Sequence, residues 1–169
     1  MKSSTQPSKS LIQALALHKS GNLDEARIHY RRALKSSPTS LQALDGLAAI
    51  YVQKGELNRA EELYRRAVQM GVNDSLLLNY ANVLRQSGRV EEAISLYERV
   101  QVKDEWCLTA ISDCLAYLGR HIEALNWIEL ALNREPNFSE AHNSKGISLL
   151  ANKQFGEAIL SFSEAIRLS

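Results

Sequence analysis

The chain has 169 residues, 45% of them hydrophobic, three prolines and a formal net charge of +1 at pH 7. That is enough apolar material for a core, and the near-neutral charge argues against a dedicated nucleic-acid binder, which carries a basic footprint. No apolar run approaches the roughly 18 residues a membrane span needs, and the opening MKSSTQPSKS is too polar for a secretory signal. Neither nucleic acid nor membrane is therefore expected as a partner, and the missing signals point to a cytoplasmic location.

Residues 1–7 offer Ser, Thr, Lys and Pro with nothing to bury, and read as a disordered tail. From about Ser8 the pattern turns helical: Leu11, Ala14, Leu15 and His18 fall at i, i+3, i+4, i+7, and Gly21 can end that helix in a left-handed conformation. Asp24 and Glu25 stand near the start of a second helix, which stops before Pro38. The same helix–turn–helix unit recurs over 41–54 with 58–70, 75–87 with 91–101, 105–118 with 122–133, and 139–152 with 156–168. No segment alternates at period two long enough for a strand, so the chain is expected to be all-α.

These units share a period. GELNRAEELYRRA, opening at Gly55, is matched by GNLDEARIHYRRA at Gly21, GRVEEAISLYERV at Gly88, GRHIEALNWIELA at Gly119 and KQFGEAILSFSEA at Lys153. Seven residues before each turn position comes a small residue: Ala14, Ala48, Ala81, Ser112, Gly146. Five after it comes Ala26, Ala60, Ala93, Ala124, Ala158, and nine after it Tyr30, Tyr64, Tyr97, Ile128, Phe162. Twelve after it stand Ala33, Ala67, Val100, Ala131 and Ala165. Small residues let facing helices approach closely, and a bulky one fills the space between neighbouring pairs.

At these slots, and with Pro38 and Pro136 at repeat ends, the chain resembles the tetratricopeptide repeat family from about residue 7 to 169. The resemblance implies an all-α, right-handed superhelical solenoid of antiparallel helix pairs. It would form a single array over 8–169, with repeats at about 7–40, 41–73, 74–104, 105–138 and 139–169. One pair cannot bury its apolar face alone, so stability should come from stacking.

The copies also differ. Turn spacings of 34, 33 and 31 residues, then 34 to Lys153, place a deficit around Val102–Glu105, where a tightened turn and a change of twist are expected. His121 replaces an apolar residue after its turn and Lys153 replaces the glycine, and both should loosen their repeats. No polar cap follows the last helix, which would leave Ile159, Phe162 or Ile166 partly unprotected. A segment of a longer protein, or cover by another chain, is expected there.

Candidate chemistry is sparse. No two of His18, His29, His121 and His142 are spaced as metal ligands, no phosphate loop or GxSxG is present, and no cofactor or catalysis is expected. Cys107 and Cys114 lie seven apart on one helix, with Cα atoms about 10 Å apart and beyond disulfide reach, and read as buried thiols. Arg31, Arg32, Arg65, Arg66 and Arg99 could form a basic ridge. Glu61 and Glu62, four residues ahead of Arg65 and Arg66, favour a solvated face instead. Trp106 and Trp127 read as packing aromatics.

In the family, first helices line a concave groove that binds peptides or partner helices. By slot, this groove would present Leu11, Leu15 and His18, then Asp45, Ala49 and Gln53, then Asn79, Asn82 and Gln86. It would continue with Thr109, Asp113 and Tyr117, then Asn143, Ile147 and Leu150. The peptide-binding residues expected are Asp45, Gln53, Asn79, Asn82, Gln86, Asp113, Tyr117 and Asn143, since amides pair with a peptide backbone as donor and acceptor alike. The family's lysine–asparagine–arginine clamp for a C-terminal carboxylate is absent, its slots holding Leu11, Leu15, Gly46, Ser75 and Asn79. A continuous asparagine ladder is mostly missing: Asn79 fits, whereas Ile12, Gly46, Ala110 and Ser144 do not.

The expected function is a protein-interaction scaffold or adaptor that binds a peptide or helix of a protein partner. The alternative is the substrate-recruiting arm of a larger enzyme, for example a glycosyltransferase-like one. Self-association through the last helix pair is a third expectation.

Overall fold

The computed structural model describes residues 7–169, so the expected tail lies outside the described residues except for Pro7, which is exposed and non-helical. Ten α-helices and no strand form among the described residues. They are α1 (Lys9–Lys19), α2 (Leu23–Ser36), α3 (Leu41–Gln53), α4 (Leu57–Met70), α5 (Asp74–Gln86), α6 (Val90–Arg99), α7 (Glu105–Tyr117), α8 (His121–Arg134), α9 (Ser139–Ala151) and α10 (Phe155–Leu168). The chain divides into two compact units, the first ending at Gln86 and the second running over Ser87–Ser169.

In the first unit, α1 packs on α2, α2 on α3, α3 on α4 and α4 on α5. In the second, α6 packs on α7, α7 on α8, α8 on α9 and α9 on α10. The repeated slots supply the contacts. Ala14, Ala26, Ala48 and Ala60 have no exposed surface, nor do Ser112, Ala124 and Ile128 in the second unit. Tyr30 and Tyr64 fill the first unit's inter-helix space, and Leu108, Ile128, Ala131, Phe138 and Ala141 form a core in the second, with Trp127 packed against it. Trp106 is mostly exposed but meets Phe138 edge-on, 4.6 Å between ring centres. Both cysteines are buried and unoxidised, as their spacing predicts.

Turn chemistry repeats as well. Gly21, Gly55, Gly88 and Gly119 have φ between +73° and +80°. The residue after the turn position donates back to the carbonyl five residues earlier, as in Asn22 to Leu17 (2.9 Å), Glu56 to Tyr51 and Arg120 to Leu115 (both 2.8 Å). That closes the helix end on its own carbonyls. Lys153 makes the same turn at φ +62°, so Gln154 still reaches Leu149 at 2.9 Å. Its Cβ pays for that geometry with about 1 kcal/mol of strain that glycine avoids.

Four of the five first helices start differently from the second helices, the exception being α9, whose N-cap is Phe138. Side chains of Ser8, Ser40, Asn73 and Asp104 accept from backbone N–H groups at the starts of α1, α3, α5 and α7. The second helices α2, α4, α6, α8 and α10 have no such cap. Instead Glu56 pairs with Arg59, Arg89 with Glu92, Arg120 with Glu123 and Gln154 with Glu157 across the first turn. Exposed pairs of this kind are screened by solvent and contribute little to stability.

The short repeat departs from expectation. The turn around Val102–Glu105 is not tightened; the deficit is taken from α6, which has 10 residues where α2, α4, α8 and α10 have 14. Val100 leaves the helix in an extended conformation with its side chain buried. Lys103 Nζ donates to the carbonyls of Glu98 (2.8 Å) and Val100 (2.7 Å), satisfying acceptors that a further turn of helix would have used.

Three glycine exchanges test this packing. An added Cβ at Gly46 would lie 2.4 Å from Cζ of Tyr30, a ring only 1% exposed that has no room to yield. Gly46→Ala is expected to cost about 1–3 kcal/mol despite alanine's better helix propensity. At Gly146 the clash is with Phe162, which is only half-buried and can move, so Gly146→Ala should cost less. Lys153→Gly should instead gain about 0.5–1 kcal/mol by relieving the left-handed turn. Urea-unfolding midpoints of the three variants check the order and the signs.

Candidate partner-binding site

In the first unit the expected residues fall on α3 and α5. Asp45 is the centre of a polar cluster, with Asn79 Nδ2 donating to its Oδ1 at 3.0 Å from the next first helix. The Asp45 charge also acts on the Tyr64 phenol. Burial first, and then the Asp45 charge, push the tyrosine pKa values of Tyr30 and Tyr64 above the ordinary 10.0. The Tyr64 ring stacks on Tyr80, 6.1 Å between centres. Asp45 and Asn79 are thus brought together, and part of their bonding capacity holds α3 and α5 to one another. Asn82 is half-buried on α5, whereas Gln53 and Gln86 are exposed at the last positions of α3 and α5.

A concavity of about 260 Å³ opens beside Asp45, lined also by Leu41, Gln42, Asn73, Ser75 and Leu76. Sequence reasoning passed over Asn73, although an asparagine three residues ahead of the Leu76 N–H that it caps is a readable helix-start signal. Of the first helix, Leu11 is buried, and His18 Nδ1 lies 3.1 Å from the Tyr30 hydroxyl. Neither faces a partner freely.

The second unit brings its expected residues closer together. Asp113 and Tyr117 on α7 and Asn143 on α9 line one concavity of about 340 Å³, with Ala116, Ser144 and Ile147. Tyr117 is 76% exposed, and Asp113 and Asn143 are exposed as well. Ser144 Oγ donates to Asp113 Oδ1 at 2.6 Å, fixing that carboxylate between two first helices. Thr109, expected to face the groove, is buried instead. A second concavity of about 560 Å³ adds Ser139, Glu140, Phe162, Ala165 and Ile166. Ser144 and Glu140 were missed because neither stands out by residue type; only the fold places them beside Asp113.

Charge on the second helices is largely self-satisfied. Arg65 pairs with Glu61, a carboxylate buried to 8% exposure, and Arg167 pairs with Glu164. Arg31, Arg32 and Arg99 are exposed. Among the described residues, no group of three or more His, Cys, Asp or Glu could hold a metal ion, and no helix is long and apolar enough to cross a membrane.

Two family models described as tetratricopeptide repeat match residues 17–77 and 76–105, together more than half of the chain. The chain belongs to the tetratricopeptide repeat family. This tetratricopeptide protein is 26% identical over 162 residues to human anaphase-promoting complex subunit 7, covering 94% of this chain and 29% of that protein. It is 33% identical over 135 residues to the type IV pilus assembly protein PilF of Pseudomonas aeruginosa, covering 79% of this chain and 49% of that one. The chain thus spans under half the length of these curated relatives. Among solved structures, YrrB, described as a tetratricopeptide protein with an unusual peptide-binding site, superposes with a TM-score of 0.85 at 21% identity. That match covers 95% of this chain and 84% of YrrB. The match establishes the same all-α solenoid fold.

The Asp45 cluster makes a pH prediction. A tyrosine whose folded pKa is raised contributes stability that is complete below its unfolded pKa and lost as pH rises past it. Stability should therefore fall as pH climbs above about 10. Asp45→Asn removes the negative charge but not the burial. The tyrosine titration should then move down toward, without reaching, the ordinary value, as followed by ultraviolet difference spectroscopy.

Proposed function

We propose that the chain is a scaffold whose first-helix faces bind an extended or helical segment of a protein partner, without chemistry of its own. The observation that carries this reading is the second unit's inner face. There Asp113, Tyr117 and Asn143 stand exposed around one concavity, while on the neighbouring second helices Glu123 pairs with Arg120 and Glu164 with Arg167. An aromatic, an amide and a carboxylate around a shallow recess suit a peptide backbone together with a hydrogen-bond donor or cation of the partner. Asp45, Asn79 and Asn82 are proposed as the corresponding contacts of the first unit, with Gln53 and Gln86 at its margin. Family membership and the peptide-binding description of YrrB support the reading.

A second reading is that the chain is the substrate-recruiting arm of a larger enzyme. It draws on one fact: the chain matches only 29% of the length of anaphase-promoting complex subunit 7. Both readings use the same inner face.

Affinity capture from source lysate tests the site. The parent would be compared with a Asp113→Ala, Tyr117→Ala, Asn143→Ala variant and with an outer-face control carrying Glu123→Ala and Glu164→Ala. Loss of a captured partner by about tenfold or more in the inner-face variant alone supports the proposal. Equal capture by the parent and the inner-face variant, with loss in the control, would place binding on the outer face and overturn it.

A further inference from the structure

One apolar stripe in the second unit lacks the cover its counterparts have. Phe155, Ile159, Phe162 and Ile166 follow one another on α10 at i, i+4, i+7 and i+11, one face of a helix. Phe155, Ile159 and Ile166 are 58%, 64% and 76% exposed. At the slot of Ile159, Glu61 and Ile94 are buried, and at the slot of Ile166, Leu34, Val68 and Leu132 are half-buried. A following first helix packs on each of α2, α4, α6 and α8, namely α3, α5, α7 and α9. The α10 stripe therefore has the shape of a seat for one more helix of the first type. Beside it lies the concavity of about 560 Å³, whose lining includes the carboxylates of Asp113 and Glu140 and no basic side chain.

The first unit contains a helix of that type with an uncovered face. Lys9, Ile12, Gln13 and Ala16 are exposed on α1 at i, i+3, i+4 and i+7, Ile12 to 55%. The helix holds Lys9, His18 and Lys19 and no acidic residue. Ile12 occupies the slot two residues before Ala14, which is the slot of Gly46, Asn79 and Ser144 in their repeats. Each of those residues meets the preceding pair: Gly46 lies against Tyr30, Asn79 bonds to Asp45, and Ser144 bonds to Asp113. An exposed isoleucine at this slot, on a helix with basic and no acidic residues, is matched in polarity and charge to the acidic-rimmed apolar seat on α9 and α10.

We propose that α1 of a second copy of this chain docks on α9 and α10 as a following first helix would. Ile12 enters the concavity against Phe162 and Ile166, and Lys9 faces Glu140. The two surfaces are different, so the contact is heterologous, joining α1 of one copy to α9 and α10 of another. This contact does not rest on the peptide-binding reading, because it uses the stripe on α10 and leaves the Tyr117 side of the inner face open.

Sedimentation velocity over a concentration series tests it, with circular dichroism confirming that each variant is folded. Ile12 and Ile166 are exposed, so Ile12→Glu and Ile166→Glu should leave the fold intact. The parent is expected to sediment faster as concentration rises, and each variant alone to stay monomeric, its association weakened by about tenfold or more. Mixed in equal amounts, the two variants should form a discrete one-to-one pair. The Ile166→Glu chain keeps a sound α1, and the Ile12→Glu chain keeps a sound α10. A parent that remains monomeric at millimolar concentration overturns the proposal and leaves the stripe to a different partner. Assembly that survives either substitution, or a mixture that stays monomeric, also overturns it, since the contact would then lie elsewhere or be self-complementary.

Discussion

Everything in these two units depends on how closely a first helix can approach its neighbouring second helices. That distance is set where a residue with little or no side chain meets a large ring: Gly46 against Tyr30, Gly146 against Phe162. The Tyr30 ring, buried to 1% exposure, cannot share its volume with an added methyl, so the approach of α3 to α2 is fixed on both sides, whereas the half-buried Phe162 leaves more play. Once it is fixed, the alanines at the neighbouring slots bury completely and the next helix finds its seat. Stability in such a scheme accumulates from one interface to the next, with little contributed by any distant contact.

Polar groups enter this packing only where they are matched. Asp45 is tolerated near Tyr30 and Tyr64 because the amide of Asn79 bonds to it. Asp113 is held in the second unit by Ser144. Both carboxylates therefore combine two tasks, tying one first helix to the next and setting negative charge on the inner face. Removing either is expected to affect packing and recognition together, which is why the proposed capture experiment pairs its variants with an outer-face control.

Much of the fold was legible in the sequence because turn glycine, small slot and aromatic slot recur in step. Helix ends agree within one or two residues: 41–54 was expected where α3 is Leu41–Gln53, and 105–118 where α7 is Glu105–Tyr117. The short repeat was misread because counting residues between glycines shows that residues are missing, not which element loses them. The answer lay in Lys103, whose ammonium takes over the carbonyls that end α6. At the candidate site, slot reasoning placed Asp113, Tyr117 and Asn143 around one recess. It also counted Thr109, which is buried, and it passed over Ser144 and Glu140. Slots report which face a residue is on; they do not report how deep it sits, since depth depends on the side chains of the adjoining helices.

The two thiols have a further consequence. Cys107 and Cys114 are buried on α7, and the unit that ends at Gln86 contains no cysteine at all. A water-soluble alkylating reagent can reach them only when α7 parts from its neighbours. Their labelling rate is therefore a built-in clock for the parting of α7 from its neighbours, with no thiol of the first unit to add to the signal.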